Sequence, residues 1–486
     1  MRKLIEKYSS LSIELKATFW YLICSLIQKG ISVVFTPVFT RIMSTDQYGL
    51  FNYYISWKDI FFILITLRLS AGVFGPGLIK NKEDCSYSSS LHGLTTFLVL
   101  IWLGGFCIFN SQLQQITNLS SILLYIMVLH VWTQAVFEMW AKEQQIRLRY
   151  RALVIVTLSV ALIRPILGVL VVIFSENEAV ARVVEMASVD FIAYVGLFIY
   201  VIVQGKKLFS AKYWRYALAI NLPLIPHFLS QTILHDADRI MIKKMIDERA
   251  AGIYSLAYQI AIISVFLNTA LSQALSPWTF RRLKEEKSEK IERVGFGALL
   301  LIAVVNLFFI ALAPELVFVF GPSRYREAIW IIPPVAMSVF FQFSYLLFSD
   351  IELYYEKSNL IAIATTAGAI LNLLLNYIFI RQYGYYAAGY TTLICYCFIA
   401  VVHYCAMKKV CNDNLNHKTV YSFKTWLKIS AGFLAIGFLL LFSYSLPILR
   451  YIIIVASLLL LVIERHKIIG LIKSFLLLKD KQQGEK

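Results

Sequence analysis

Four basic side chains fall inside apolar stretches of the chain, where no loop accounts for them. They are Lys29, Lys58, Arg68 and Arg164. A charge at the centre of a bilayer costs at least about 2.5–3.5 kcal/mol on insertion scales, so such groups nearly always face a protein interior or a wet cavity. Ammonium and guanidinium groups are strong partners for phosphate oxygens. The four residues therefore predict an anion-binding cavity.

Hydroxyl side chains accompany Lys29 at helical spacing. Ser25, Lys29, Ser32, Thr36 and Thr40 recur at intervals of three or four residues. This spacing places them on one face of a helix. The pattern predicts a polar stripe on an otherwise apolar helix.

Carboxylates in the same stretches leave two interpretations open. In one, Asp59 and Asp190 couple transport to an ion gradient. In the other, Asp59, Asp190 and Glu138 neutralise the buried cations in fixed pairs. Lys58 and Asp59 are neighbours in sequence, so their side chains leave a helix on different sides and we do not expect them to pair.

The second half of the chain carries neutral polar residues in its apolar stretches. The candidates for contact with the hydroxyls of a sugar are His227, Gln231, Asn268 and Asn372. Amides and imidazoles donate and accept hydrogen bonds without a full charge, which suits such a ligand. The alternative is packing between helices through small polar groups. No spacing indicates a metal site, and no phosphate-binding loop for ATP occurs, so we expect no cofactor.

The composition shows what must hold these residues in place. Of 486 residues, 59% are hydrophobic and only 15% are charged, and the mean hydropathy is +0.69. A soluble domain has about 45–50% apolar and about 25% charged residues. The apolar excess must face lipid, which predicts an all-α, polytopic membrane protein.

Runs of about 20 mostly apolar residues mark the spanning helices. We predict about 14 of them, near residues 17–42, 50–75, 88–109, 119–141, 151–174, 184–204, 214–237, 251–277, 294–314, 328–350, 358–380, 386–408, 425–446 and 448–466. With the N-terminus in the cytoplasm, 32 of the 46 lysines and arginines fall in inner segments and 10 in outer loops. Because cytoplasmic loops hold the excess of positive charge, both termini are predicted to be cytoplasmic. The net charge of +17 is then explained without a nucleic-acid partner.

Two similar segments lie six predicted helices apart. One reads Arg41-Ile-Met and then Tyr48-Gly49-Leu-Phe, and the other reads Arg239-Ile-Met and then Gly252-Ile-Tyr. Parallel repeats of this kind build transporters that hold substrate between two lobes. We predict an N-terminal lobe of six helices at residues 1–207, a second at 208–410, and an extra helix pair with a cytoplasmic tail at 411–486.

The same segments carry a family resemblance. Leu26-Ile-Gln-Lys-Gly30, Arg41 to Gly49 and Ile55 to Ile60 resemble the opening of bacterial polysaccharide repeat-unit flippases of the Wzx type. These belong to the multidrug/oligosaccharidyl-lipid/polysaccharide exporter superfamily. The segments that resemble its later helices are Asn221 to His227, Asp238 to Ile242, Ala251 to Tyr254, Leu371 to Asn376 and Tyr383 to Tyr390.

The resemblance implies a transporter rather than an enzyme. Such a protein moves undecaprenyl-diphosphate-linked oligosaccharide across the bacterial plasma membrane for O-antigen, capsule or exopolysaccharide assembly, by alternating access through a cationic cavity. Lys29, Lys58, Arg68 and Arg164 are the positions that would supply that cavity. The implied partners are the lipid-linked substrate, membrane lipids, a polysaccharide polymerase and a chain-length regulator.

Three alternatives stay open. The extra helix pair leaves room for a flippase of lipid II or of another lipid-linked glycan. A drug or ion antiporter of the same superfamily would favour acidic and aromatic cavity residues, against the basic bias here. A membrane polysaccharide polymerase would need a large outer loop, and the predicted loops are short.

Overall fold

The computed structural model describes residues 12–285, 289–415 and 418–463. Apart from short 3₁₀ turns, the regular elements among these residues are α-helices, and no strand occurs in them. The helices up to residue 245 are α1 (Ile13–Ile42), α2 (Thr45–Thr66), α3 (Phe74–Lys80), α4 (Cys85–Ile108), α5 (Asn110–Thr117), α6 (Ser121–Ile146), α7 (Tyr150–Ile173), α8 (Glu178–Gly205), α9 (Ala211–Asn221) and α10 (Ile225–Met245). The helices that follow are α11 (Glu248–Ala261), α12 (Ile263–Lys284), α13 (Glu289–Ala311), α14 (Ala313–Phe320), α15 (Ile332–Tyr354), α16 (Ser358–Tyr383), α17 (Tyr386–Asn414), α18 (Phe423–Phe442) and α19 (Pro447–Ile463).

The predicted all-α membrane fold is confirmed. The described part of every predicted span overlaps with helical structure, and 12 helical segments of the described residues are long and apolar enough to cross a membrane. The two predicted spans outside those 12 correspond to α2 and α19. The end of the last predicted span, 464–466, lies outside the described residues.

The second span ends earlier than predicted. We expected residues 50–75, but α2 stops at Thr66, and Leu67 adopts a left-handed conformation with φ of 52°. The buried side chain of Asn221 holds the turn that follows: its amide donates to the Leu67 carbonyl over 2.8 Å and its oxygen accepts from the Val73 amide over 2.9 Å. A Cβ atom at Gly72 would lie 2.5 Å from the Asn221 oxygen, so glycine makes room for this contact.

The sixth span begins earlier than predicted. We expected residue 184, whereas α8 starts at Glu178, where the Asn177 side chain accepts a hydrogen bond from the Val180 amide over 3.3 Å. Glu178 also accepts from the Ser44 amide over 2.7 Å. Capping satisfies amides that an uncapped helix end leaves unpaired. The extra turns bring Arg182, which we had assigned to a loop, into the helix.

The chain divides into two compact units, Met1–Gly252 and Ile253–Lys486. Within the first unit, an apolar cluster between α2, α4 and α6 contains Tyr53, Phe61, Phe62, Phe106 and Leu124. This cluster fixes α2 against α6, and those two helices carry most of the polar network described below. The predicted boundary between lobes at 207 and 208, and the repeat itself, stay predictions.

The first turns of α2 and α11 touch backbone to backbone. A Cβ atom at Gly49 would lie 1.9 Å from the carbonyl oxygen of Glu248, and one at Gly252 would lie 2.2 Å from that of Thr45. No real side chain tolerates such distances. The two glycines of the similar sequence segments are therefore required at the same contact.

In the second unit, the predicted C-terminal helix pair packs on its neighbours. The rings of Phe433 on α18 and Phe340 on α15 stack with centroids 4.3 Å apart. Arg450 on α19 donates to Glu315 on α14, and the Tyr451 hydroxyl donates to the same carboxylate over 2.6 Å. The described part of this pair is thus attached to the unit by both apolar and charged contacts.

Candidate functional site

Part of the polar stripe of α1 lies at the surface of the first unit, whereas Thr40 at its end is buried. The helix packs on α7 and buries Ala17 and Cys24. Ser25 and Ser32 are exposed, and Lys29 is half-buried. The role of Lys29 in an anion cavity stays a prediction.

Lys58 on α2 lies in a polar network. Its ammonium nitrogen is 3.1 Å from Oδ1 of Asp59 and donates to Oε1 of Gln134 on α6 over 2.8 Å. The Lys58 side chain is 10% exposed and that of Asp59 is 36% exposed. Our expectation that the two residues would not pair was wrong. Although their Cβ atoms point apart, the long lysine side chain bends back far enough for its end to reach the carboxylate.

The network continues along α6. The Gln134 amide donates to Oε1 of Glu138 over 3.0 Å, and the Ser70 hydroxyl donates to Oε2 of Glu138 over 2.6 Å. Gln134 and Glu138 are four residues apart and share a helix face. Gln134 is absent from the predicted site residues, although two polar residues at this spacing in an apolar span were a visible signal.

Arg68 is in a different setting from the predicted one. The structure places it in the turn after α2, with φ of 51°, rather than inside the span. The side chain is half-buried, and its guanidinium carbon lies 5.4 Å from the centre of the Phe62 ring. Its Nε has no hydrogen-bond partner among the described residues. An anion-binding role for Arg68 stays a prediction.

Arg164 on α7 is paired with an acid. Its Nε and Nη2 both donate to Oδ1 of Asp190 on α8. Asp190 is fully buried, and its other oxygen lies 3.2 Å from Nε2 of His130 on α6. The Arg164 side chain is 27% exposed. The fixed pairing that the sequence left open as an alternative therefore describes Arg164 and Asp190 in this structure.

A second buried pair lies beside the first. Arg182 donates to Glu185 and, over 3.0 Å, to the backbone carbonyl of Arg164. Its guanidinium carbon lies 4.3 Å from the centre of the Phe39 ring. A Cβ atom at Gly168 would lie 1.9 Å from the Arg182 nitrogen, so this glycine opens the wall of α7 for the pair. The two pairs together join α7 to α8.

Another ion pair lies on α10, which packs on α2. Arg239 donates to Oδ1 of Asp236 over 2.7 Å, and the Ser56 hydroxyl of α2 donates to the same oxygen over 3.4 Å. Of the predicted sugar-facing residues on α10, His227 is half-buried and Gln231 is exposed. A sugar-binding role for His227 and Gln231 stays a prediction.

The other two predicted sugar-facing residues lie in the second unit, buried between helices. The Asn268 amide donates to the Val339 carbonyl of α15 over 2.9 Å. The Asn372 oxygen accepts from the Asn376 amide over 3.2 Å, and Asn376 accepts from Thr391 of α17. These contacts match the helix-packing alternative. A sugar-binding role for the two asparagines stays a prediction.

A buried pair in the second unit is also absent from the predicted site residues. Nδ1 of His403 on α17 lies 2.8 Å from Oε1 of Glu352 on α15, and both side chains are fully buried. The Tyr345 ring stacks on the imidazole at 5.3 Å. No cluster of three or more histidine, cysteine, aspartate or glutamate side chains that could hold a metal ion occurs within the described ranges.

Known sequences place the chain among membrane proteins of polysaccharide synthesis. Residues 15–283, more than half of the chain, match the family described as polysaccharide biosynthesis protein. Residues 223–378 match the MatE family. Protein 1 of the Lsg locus of Haemophilus influenzae is 22% identical over 362 residues, which cover 72% of this chain and 87% of that protein.

Solved structures share the fold. The lipid II flippase MurJ in an inward closed conformation gives a TM-score of 0.67 at 14% identity and covers 92% of this chain and 99% of its own. An inward-facing multidrug resistance MATE family transporter of the MOP superfamily gives 0.62 at 11% identity, with 82% and 98% covered. With more than half of its length matched by one family and its helices arranged as in that superfamily, the chain is a multi-pass membrane protein that belongs to the polysaccharide biosynthesis protein family.

Proposed function

We propose that the protein is a flippase that moves undecaprenyl-diphosphate-linked oligosaccharide repeat units across the bacterial plasma membrane. The units serve the assembly of O-antigen, capsule or exopolysaccharide, and both termini of the chain are cytoplasmic. Family membership supports the class of substrate. The single observation that carries the proposal is that the ammonium of Lys58, on α2, is nearly buried and lies beside a carboxylate whose side chain is 36% exposed.

The chemistry of the proposed substrate fits the cationic side chains of the first unit. A diphosphate carries about two negative charges, and hydrocarbon is a prohibitive medium for it. Lys58, Lys29 and Arg68 provide ammonium and guanidinium groups in one unit, and we propose that they meet the diphosphate. We assign Arg164 to its pair with Asp190 and give it an indirect role, through the packing of α7 on α8.

The test is a gene deletion in the native host. Loss of the protein should abolish the surface polysaccharide, and the lipid-linked repeat units should accumulate on the cytoplasmic face. The wild-type gene should restore both, and Lys58→Gln, expressed to the same level, should not. A deletion strain with normal surface polysaccharide and no accumulated intermediate would refute the proposal.

A second candidate is a flippase for lipid II. The structural likeness to MurJ, which extends over 92% of this chain, and the C-terminal helix pair favour it. Depletion of the protein would then cause lysis with accumulated lipid II, while a polysaccharide flippase leaves the cell wall intact. The two outcomes separate the candidates.

A further inference from the structure

We infer that Asp59 is an exchangeable counter-ion: it occupies Lys58 while the site is empty, and the diphosphate of the substrate displaces it. The inference rests on the proposed function and deepens it, because it names the residue that sets how tightly the cationic site holds its substrate. Asp59 would act through Lys58, as a positioning residue.

The exposure of the two side chains supports exchange. The Asp59 carboxylate is 36% exposed and the Lys58 side chain only 10%, so the carboxylate is the outer member of the pair. An anion that arrives from the open side meets Asp59 first. A rotation of one short side chain uncovers the ammonium, and the helix backbone does not have to move.

The neutral partner of Lys58 holds the ammonium in place during such an exchange. An ammonium has three donors. One is directed to Asp59 at 3.1 Å and one to the Gln134 amide oxygen at 2.8 Å. Gln134 is itself fixed by its bond to Glu138. Since an amide carries no charge, it positions Lys58 without competing for it as an anion does.

The other acids near the pair have partners of their own. Asp236 of α10 interacts electrostatically with both Asp59 and Lys58, but it is bonded to Arg239 at 2.7 Å. Asp190 of α8 is bonded to Arg164, and Glu138 of α6 to Gln134 and Ser70. Among these acids, Asp59 is the one whose ion pair is with Lys58.

The exchange explains how one site can both bind and release a diphosphate. An unpaired ammonium in a closed, empty transporter would be a buried charge without compensation, which is strongly unfavourable. With Asp59 in place, the empty site is neutral. Because a diphosphate carries more charge than one carboxylate it can displace Asp59, and because Asp59 competes, binding stays weak enough for release.

The experiment measures binding and turnover separately on the full-length protein. Farnesyl diphosphate is the probe, titrated calorimetrically into protein in lipid nanodiscs. Asp59→Asn should bind it about fivefold more tightly than wild type, because the competing anion is gone. Lys58→Gln should bind it more weakly, and the double variant should bind no more tightly than Lys58→Gln. Asp84→Asn, which changes an acid that caps α4, is the matched control and should leave the affinity unchanged.

The kinetics of transport distinguish a counter-ion role of Asp59 from a purely structural role. In proteoliposomes that contain a lipid-linked oligosaccharide, Asp59→Asn should lower the apparent KM and also slow transport. Asp59→Glu, which keeps the charge, should restore the rate at least in part. Asp59→Ser removes the same charge and provides the test if the asparagine variant does not purify.

The outcomes separate this inference from the proposed function. If wild type binds farnesyl diphosphate and removal of the Asp59 charge leaves the affinity unchanged or weaker, the counter-ion role is refuted and the flippase stands. If wild type and Lys58→Gln bind the probe no better than they bind farnesol, the cationic site fails, and the proposed function loses its support together with the inference.

Discussion

The ion pair between Arg164 and Asp190 allows a quantitative prediction of how much stability is lost when it is broken. Replacing Arg164 by leucine leaves the fully buried Asp190 carboxylate with only the His130 nitrogen at 3.2 Å. Breaking a buried ion pair costs about 3–5 kcal/mol. Because the Arg164 side chain is 27% exposed, water screens part of the interaction and we expect a smaller loss, about 2–3 kcal/mol.

Removing both charges should lower the free energy of unfolding less than removing one charge. Arg164→Leu/Asp190→Leu leaves no unpaired charge, and apolar replacements of buried pairs are often close to neutral. The expected coupling energy is therefore at least about 2 kcal/mol. The assay is equilibrium unfolding of the purified variants in mixed micelles by titration with sodium dodecyl sulfate.

A partly exposed pair of the same type provides the control. Arg282 and Glu285 are bonded at 2.6 Å with side chains 23% and 45% exposed, and we expect their coupling to be below about 1 kcal/mol. Additive effects of the Arg164 and Asp190 changes would refute a structural pair. If Arg164 also binds the diphosphate directly, the double variant will regain its stability but will not transport the substrate.

Three further variants test other contacts. Gly49→Leu should lower the melting temperature and the transport rate, because a Cβ atom at this position has no room against Glu248. Gly104→Leu is the control and should change both little, because the space around Gly104 is open. Equal melting temperatures of the two variants would contradict the close contact. Asn221→Ala should lower the free energy of unfolding in mixed micelles by about 2–4 kcal/mol, because two buried hydrogen bonds of the turn after α2 are lost. A decrease below about 0.5 kcal/mol would contradict this role of Asn221. Glu352→Leu should destabilise the protein more than Glu352→Gln, which keeps an acceptor for the buried His403, and the reverse order would show that this hydrogen bond does not hold the helices together.

Composition and hydropathy alone predict the helical membrane fold, because spans of about 20 apolar residues are set by the thickness of the bilayer. They do not predict where α2 ends. That end depends on Asn221, which is more than 150 residues away in the sequence and reaches the turn only in the folded chain. Local patterns contain no trace of such a contact.

Only part of the site could be predicted from the sequence, because contacts between distant residues decide which side chains pair. A charge in an apolar run marks Lys58 and Arg164 as residues with a function or a partner, and the structure shows the partners. Pairing depends on side-chain reach and on which helices become neighbours. Adjacency of Lys58 and Asp59 in the sequence was therefore misleading, and Arg182 was missed because a cap extends α8 beyond its apolar run.

Translocation by the purified protein is the most direct test of the proposed flippase function. Proteoliposomes are loaded with undecaprenyl-diphosphate-linked oligosaccharide that carries a fluorescent sugar, and an added membrane-impermeant quencher reports how much lies in the outer leaflet. The account predicts that wild type makes nearly all of the label accessible within minutes, and that Lys58→Gln protein is much slower at equal reconstitution. Wild-type vesicles in which half of the label stays protected, as in protein-free liposomes, would contradict it.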